Sequence, residues 1–210
     1  MKLAMFGPTG MIGSRILNEA LSRGHALTAI TRDPSRFSLA HEKLTVVAGN
    51  VLDPTSVADV VKGCDAVLSA IGSGGSSVDV IVETAHSLIN GLSSAGVHRL
   101  IVVGGAGVLE VTPGVQLVDS PNLLEAYRPL ALAHRQAYNL YKASDLDWTF
   151  VSPAAEIAPG ERTGKFQVGA DHLLTNEQGE SRISAEDYAI AFMNEVETPQ
   201  YVHHRMTVAY

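Results

Sequence analysis

A glycine turn wedged between a strand and a helix at the start of the chain limits its fold more than any other feature. Lys2-Leu3-Ala4-Met5-Phe6 is a short, mostly apolar run, Gly7-Pro8-Thr9-Gly10-Met11-Ile12-Gly13 follows at once, and a helical pattern runs over residues 14–22. A strand that feeds through such a turn leaves the first helical N–H groups unpaired at the positive end of the helix dipole, which is a seat for a pyrophosphate. Gly7 is expected to make the tight turn, Gly10 to let backbone approach the phosphates, and Gly13 to let the helix pack on its strand. The expected pyrophosphate contacts are thus Gly7, Thr9, Gly10, Met11, Ile12 and Gly13. The spacing is G-x-x-G-x-x-G rather than G-x-G-x-x-G, and the rival reading is a turn with no ligand.

The strands that follow supply the rest of a dinucleotide site. Residues 25–31 alternate as a second strand, and Arg32 is the first residue past it, about 20 residues beyond the glycines, where such folds read the adenosine ribose. A guanidinium grips a 2′-phosphate bidentately and gains little from a bare hydroxyl, so NADP(H) is favoured over NAD(H). Arg36 is a second candidate clamp; Asp33 is the carboxylate an NADH site would use. Residues 44–48 read as a third strand, with Asn50 and Val51 at its end as expected adenine contacts, and Asp53-Pro54 as a cap with proline at N1. A fourth strand over 65–71 closes in Ala70-Ile71-Gly72 and leads into a Gly/Ser loop, residues 73–77, for which a flexible connector is the rival reading. After a helix over 80–95 and a fifth strand over 99–103, Gly104-Gly105-Ala106-Gly107 closes the edge. Ala70, Ile71, Gly72 and Gly104 are expected to flank the ribose and nicotinamide.

The second half is less regular. Residues 109–122 show no periodicity and form a loop long enough to cover a substrate. A helical pattern spans 123–143, with Pro129 marking a break or a restart, and a sixth strand over 147–151 precedes Ser152-Pro153-Ala154-Ala155. Short pieces follow, among them a strand-like 165–168, a capping box at Ser184-Ala185-Glu186-Asp187 opening a helix, and a last strand over 205–210. The expectation is a single α/β domain over residues 1–210, a Rossmann-like, doubly wound parallel sheet with its ligand above the carboxyl ends of the strands. Residues 153–182 and 198–210 are expected to form most of a small C-terminal substrate lobe.

Composition excludes several classes. The net charge of −7 and the lack of any Lys/Arg run argue against a nucleic-acid surface. No apolar run is long enough to span a bilayer, and the glycine turn interrupts the opening strand too early for a signal peptide. The single cysteine, Cys64, fits a reducing cytoplasm. The sequence leaves monomer and homodimer open.

Six segments carry a resemblance to a known group: Gly7–Gly13, Thr31-Arg32-Asp33-Pro34, Gly49-Asn50-Val51-Leu52-Asp53, Leu146-Asp147-Trp148-Thr149-Phe150-Val151-Ser152-Pro153, Gly160-Glu161-Arg162-Thr163-Gly164 and Ile183-Ser184-Ala185-Glu186-Asp187-Tyr188-Ala189. The chain resembles an atypical short-chain dehydrogenase/reductase of the NAD(P)H-binding group. It is similar to bacterial NADH-flavin reductase candidates and, more distantly, to biliverdin-IXβ reductase/flavin reductase. The resemblance implies NAD(P)H at the glycine turn, Pro153 near the nicotinamide carboxamide, and a flat acceptor, with FMN or FAD a candidate substrate.

Many members of that superfamily reduce carbonyls with a serine and a Tyr-x-x-x-Lys pair. Tyr138 and Lys142 have the spacing, yet related atypical members place the lysine further ahead of the segment matching Ser144-Asp145-Leu146-Asp147, which points to His134. His134 and Tyr138 are therefore the candidates for touching the acceptor or donating a proton; a solvated histidine and a packing tyrosine are the rival reading. Gly104-Gly105-Ala106 also stands where the family often supplies a serine or threonine. No metal site is expected, because His203 and His204 would point to opposite faces of a strand. The expected function is an NAD(P)H-dependent reductase passing hydride to a flavin or quinone-like acceptor. Alternatives are a redox sensor of the nitrogen-metabolite-repressor type, which binds NAD(P) without turnover, and a sugar-nucleotide epimerase-like enzyme, which needs a working Tyr/Lys pair.

Overall fold

Strand β1 (Lys2–Phe6) sends alternate side chains into two buried layers, and the rest of the sheet is laid beside it. Leu3 and Met5 enter one layer with Ile16, Leu17 and Phe192; Ala4 and Phe6 enter the other with Val57, Leu88 and Phe150. A strand covered on both faces needs apolar residues at every position, which is why these strands read as continuous hydrophobic runs. The computed structural model describes residues 1–75 and 77–210. Ser76, part of the Gly/Ser loop expected over 73–77, lies outside the described residues.

The order is β1, α1 (Met11–Ser22), β2 (Ala26–Thr31), β3 (Leu44–Ala48), α2 (Pro54–Val61), β4 (Ala66–Ser69), α3 (Asp79–Ala95), β5 (Arg99–Val103), β6 (Glu110–Thr112), β7 (Val115–Gln116), α4 (Arg128–Lys142), β8 (Asp147–Pro153), β9 (Glu156–Ala158), β10 (Gln167–Gly169), β11 (Arg182–Ser184), α5 (Ala185–Glu197) and β12 (His204–Ala209). The central sheet runs β10-β12-β8-β5-β4-β1-β2-β3. Every neighbouring pair in it is parallel except β10 with β12. Helices α1 and α5 pack together on one face and α2, α3 and α4 on the other. The chain winds outward in both directions from β1 and β4, so the crevice of a doubly wound sheet falls between those two strands.

Several boundaries differ from the sequence reading. Helix α1 begins at Met11 rather than at 14, because Gly10 is an extended N-cap with φ −70° and ψ 168°. Strand β4 stops at Ser69, which leaves Ala70-Ile71-Gly72 as loop, and β8 runs on to Pro153. Helix α4 starts at Arg128 with Pro129 in its first turn, where the missing N–H costs nothing, so residues 123–127 fall outside it. The 109–122 stretch contains a small antiparallel hairpin of β6 and β7.

The largest correction concerns the C-terminal lobe. Residues 204–209 form β12 inside the central sheet, parallel to β8, rather than part of a separate lobe over 198–210. Met206, Thr207, Val208 and Ala209 are all buried, so both faces of this strand are covered, as in the parallel sheet it joins. What remains outside the sheet is the parallel pair β9 and β11 with its loops.

Those loops are fastened by carboxylates. Ser184 caps α5 through Asp187 N (3.0 Å), but the Asp187 carboxylate turns away and accepts from Thr163 N (2.8 Å), Thr163 Oγ1 (2.5 Å), Gly164 N (2.8 Å) and Tyr210 OH (3.0 Å). Burial would raise its pKa, yet these donors hold it below the ordinary carboxylate value. Glu186 accepts from Gly160 N at 2.7 Å and Arg15 Nε at 2.9 Å, and Arg162 pairs with Glu19 at 2.9 Å. The Gly160–Gly164 turn is thus bound at both ends to α1 and α5. On the far side, buried Arg205 of β12 donates to Asp171 (2.7 Å), Glu110 (3.2 Å) and the carbonyl of Val108.

Candidate active site

A cavity of about 960 Å³ lies over the carboxyl ends of β1, β4, β5 and β8. Its floor is the glycine turn. Gly7 adopts φ 77°, and a Cβ there would stand 2.5 Å from Ala70 O; a Cβ on Gly13 would stand 1.9 Å from Gly7 O. Both positions exclude a side chain for internal reasons. Gly10 is different: its backbone is ordinary extended chain, and a Cβ would meet nothing nearer than Gly7 O at 3.7 Å. The protein itself thus leaves room for a side chain at this position, which lines the cavity.

The end of α1 that faces this cavity is uncapped. Gly10 supplies no side-chain acceptor, and the N–H groups of Met11, Ile12 and Gly13 find no acceptor among the described residues. Three open donors beside a residue with no side chain fit the diphosphate of a dinucleotide, which presents anionic oxygens and needs close backbone approach.

The cavity wall contains Gly7, Thr9, Gly10, Met11, Ile12, Gly13, Ala70, Ile71, Gly72, Gly104 and Pro153, all singled out by the sequence. Arg32, Asn50 and Val51 are outside it, beyond the ends of β2 and β3. Arg32 is exposed. The Asp33 carboxylate is engaged locally, accepting from Ser35 N (3.1 Å) and Ser35 Oγ (2.6 Å) as the cap of a single 3-10 turn. Asn50 Oδ1 accepts from Leu52 N at 3.1 Å, which fixes the turn leaving β3.

The two catalytic candidates separate. His134 lines the cavity and is buried, not solvated. Its ring stands edge-on to Phe150 at 6.3 Å, in space that Gly105 leaves free, since a Cβ at 105 would lie 2.8 Å from His134 Cδ2. Burial lowers its pKa to about 4, so at neutral pH it is an uncharged imidazole that can exchange hydrogen bonds but cannot act as an imidazolium acid. Tyr138 is not among the residues that line the cavity and packs in the core instead, which is the rival reading of a packing tyrosine. Its ring packs T-shaped on Trp148 at 5.7 Å and tilted on Phe150 at 5.2 Å, with Lys142 Nζ 5.5 Å and Arg205 Cζ 5.6 Å from its centroid. Burial pushes its phenol pKa up. The physical reason is direction: α4 returns between the parallel strands β5 and β8, so each turn after His134 descends from the carboxyl edge into the core.

Sequence reasoning missed the apolar side of the cavity. Leu117, Leu123, Leu124, Tyr127, Leu130 and Ala131 line it, with Leu124 68% and Tyr127 58% exposed. Their one signal was a group of large apolar residues without periodicity just ahead of Pro129. Ser152, the serine of the Ser-Pro-Ala-Ala segment, is buried and donates to Gly105 O at 3.1 Å, holding the loop that faces His134.

Comparison with known proteins agrees on the fold and differs on activity. The family described as NAD(P)H-binding matches residues 7–199. A Burkholderia pseudomallei structure provisionally named an exported protein is 50% identical, covers 100% of both chains and superposes with a TM-score of 0.93. A provisionally named epimerase from Bacteroides thetaiotaomicron is 38% identical over 100% of this chain and 96% of its own, with a TM-score of 0.91. A provisionally named NADH-flavin reductase from Streptococcus pneumoniae is 33% identical over 100% of this chain and 99% of its own, with a TM-score of 0.88.

Proposed function

The chain belongs to the NAD(P)H-binding family, and from that premise we propose that it is an NADPH-dependent reductase of a flavin or quinone-like ring. The observation that carries the proposal is the bare amino end of α1, where three open N–H donors surround a glycine whose side chain only a ligand would exclude. In this reading Met11, Ile12 and Gly13 hold the diphosphate, Arg32 the 2′-phosphate, Asn50 and Val51 the adenine, and Ala70, Gly72, Gly104 and Pro153 the nicotinamide end. Arg32 is exposed at the end of β2, where a guanidinium can grip a 2′-phosphate bidentately, and that favours NADPH in this reading.

A reduced nicotinamide supplies two electrons and one hydrogen as hydride, and the second proton of the reduced ring comes from water at the open mouth. The chain's own groups position and desolvate. The apolar wall excludes water from the acceptor's face, and neutral His134 offers one hydrogen bond to a ring heteroatom. Hydride transfer to an electron-poor ring depends on orientation more than on a strong acid, which suits a wall whose one carboxylic acid among the described residues is Glu156. An epimerase would need Tyr138 and Lys142 at the ligand, and neither lines the cavity, Tyr138 being packed in the core and Lys142 exposed at the end of α4, which weighs against that reading.

NADPH oxidation with a panel of flavins and quinones tests this. Turnover supports the reductase. Tight NADPH binding without turnover of any acceptor refutes it in favour of a sensor, and failure to bind either nucleotide refutes both. No helix among the described residues is long and apolar enough to cross a membrane. A cytoplasmic monomer or homodimer completes the proposal, checked by fractionation and sedimentation.

A further inference from the structure

The wall beyond Pro153 differs in chemistry from the floor. Leu117, Leu123, Leu124, Tyr127 and Leu130 make it apolar, and His134 adds an uncharged polar group. Among the described lining residues Glu156 is the single charged side chain. Cations close by in the chain are already committed: Arg128 donates to Glu125 at 2.9 Å and to Val118 O at 2.6 Å, and Arg15 to Glu186 at 2.9 Å and Met11 O at 3.2 Å. Past Glu156 a second hollow of about 320 Å³ does contain Arg182, but Glu161 lines it as well and Glu156 borders both spaces.

From this arrangement we propose that the acceptor is an uncharged flat ring, a quinone or a flavin without phosphate, and that the site discriminates against FMN and FAD. The inference rests on the reductase reading and narrows it. A phosphate on the acceptor would lie near a carboxylate, in a chain of net charge −7 and beside a cofactor that is itself polyanionic. An uncharged ring meets none of that repulsion. The leucines of the wall offer such a ring apolar surface, and His134 and Tyr127 are the polar groups that its carbonyl oxygens or ring nitrogens would use. A neutral imidazole is the right partner for such a ring, since it would not draw an anion.

Riboflavin and FMN carry the same ring and differ by one phosphate, which makes them the direct comparison. Titration of each into the NADP⁺-saturated protein, followed by flavin fluorescence, should give riboflavin about tenfold the affinity of FMN at low salt, with the gap closing as salt rises. Glu156→Gln should narrow the gap, and Leu124→Arg should reverse it. Equal or tighter binding of FMN to the unmodified protein overturns the proposal, as does failure to bind either flavin together with a short-chain quinone. Because binding is read without turnover, a protein that prefers riboflavin but oxidises no NADPH would refute the reductase reading alone.

Discussion

Alanine at position 10 and alanine at position 13 should part company. At Gly10 the backbone is extended and the new methyl meets nothing nearer than 3.7 Å, so the unliganded fold has no reason to move. The small loss at the cap is offset by a narrower unfolded ensemble, and stability should stay within about 0.5 kcal/mol. The methyl would stand between the first-turn N–H groups and any phosphate. Losing two charge-assisted hydrogen bonds at about 1.5–3 kcal/mol each weakens binding by at least about 100-fold. At Gly13 the methyl would lie 1.9 Å from Gly7 O, and the start of α1 must back away from the turn by about 1 Å. Overpacking costs about 1–3 kcal/mol and the better helix former returns about 1 kcal/mol, so Gly13→Ala should be destabilised by up to about 2 kcal/mol and bind poorly too. Urea unfolding without ligand and calorimetry with NADPH separate the two effects. Undiminished NADPH affinity in Gly10→Ala would refute the argument that its missing side chain serves a ligand.

Arg32→Ala should weaken NADPH binding about 10- to 100-fold and leave NADH nearly unchanged; equal losses would show that Arg32 does not read the phosphate. Tyr138→Phe keeps the ring between Trp148 and Phe150, so kcat should stay within about twofold, and a collapse in turnover would return the phenol to the chemistry. His134 binds its proton near pH 4 when folded and near 6.5 when unfolded, so the unfolded chain takes up the proton first as pH falls. Stability should therefore decline by about 3 kcal/mol between pH 6.5 and 4, and denaturant midpoints of His134→Leu should lack that part of the decline. Asp187→Asn leaves four donors facing a weaker acceptor at a fully buried site, and a loss of about 3 kcal/mol in unfolding experiments is expected; an unchanged midpoint would show that the 160–164 turn does not depend on it.

What could be read from the sequence was whatever local spacing encodes. The glycine turn and the capping residue Asp53 follow from conformations one or two residues dictate, and the structure has both of them. The burial of His134 could not be read that way, because it depends on the bare backbone of Gly105 lying opposite, from a different strand end. Tyr138 shares a helix face with His134, but face alone does not say which turn stands level with the strand ends. The place of β12 in the sheet is set by pairing with β8 and β10, partners distant in sequence that no local spacing reveals. The apolar wall is hidden in the sequence because Leu123, Leu124 and Tyr127 imitate the first turns of a helix that in fact begins at Arg128.

Arg205 ties distant parts of the chain to one strand. Its guanidinium grips the carbonyl of Val108, 97 residues earlier, together with Glu110 and Asp171, and so holds the segment that leads into the apolar wall against the strand beside β8. Releasing that grip would slacken the wall's approach from residue 108 onward and leave the glycine turn untouched, because the turn's close contacts run to Ala70.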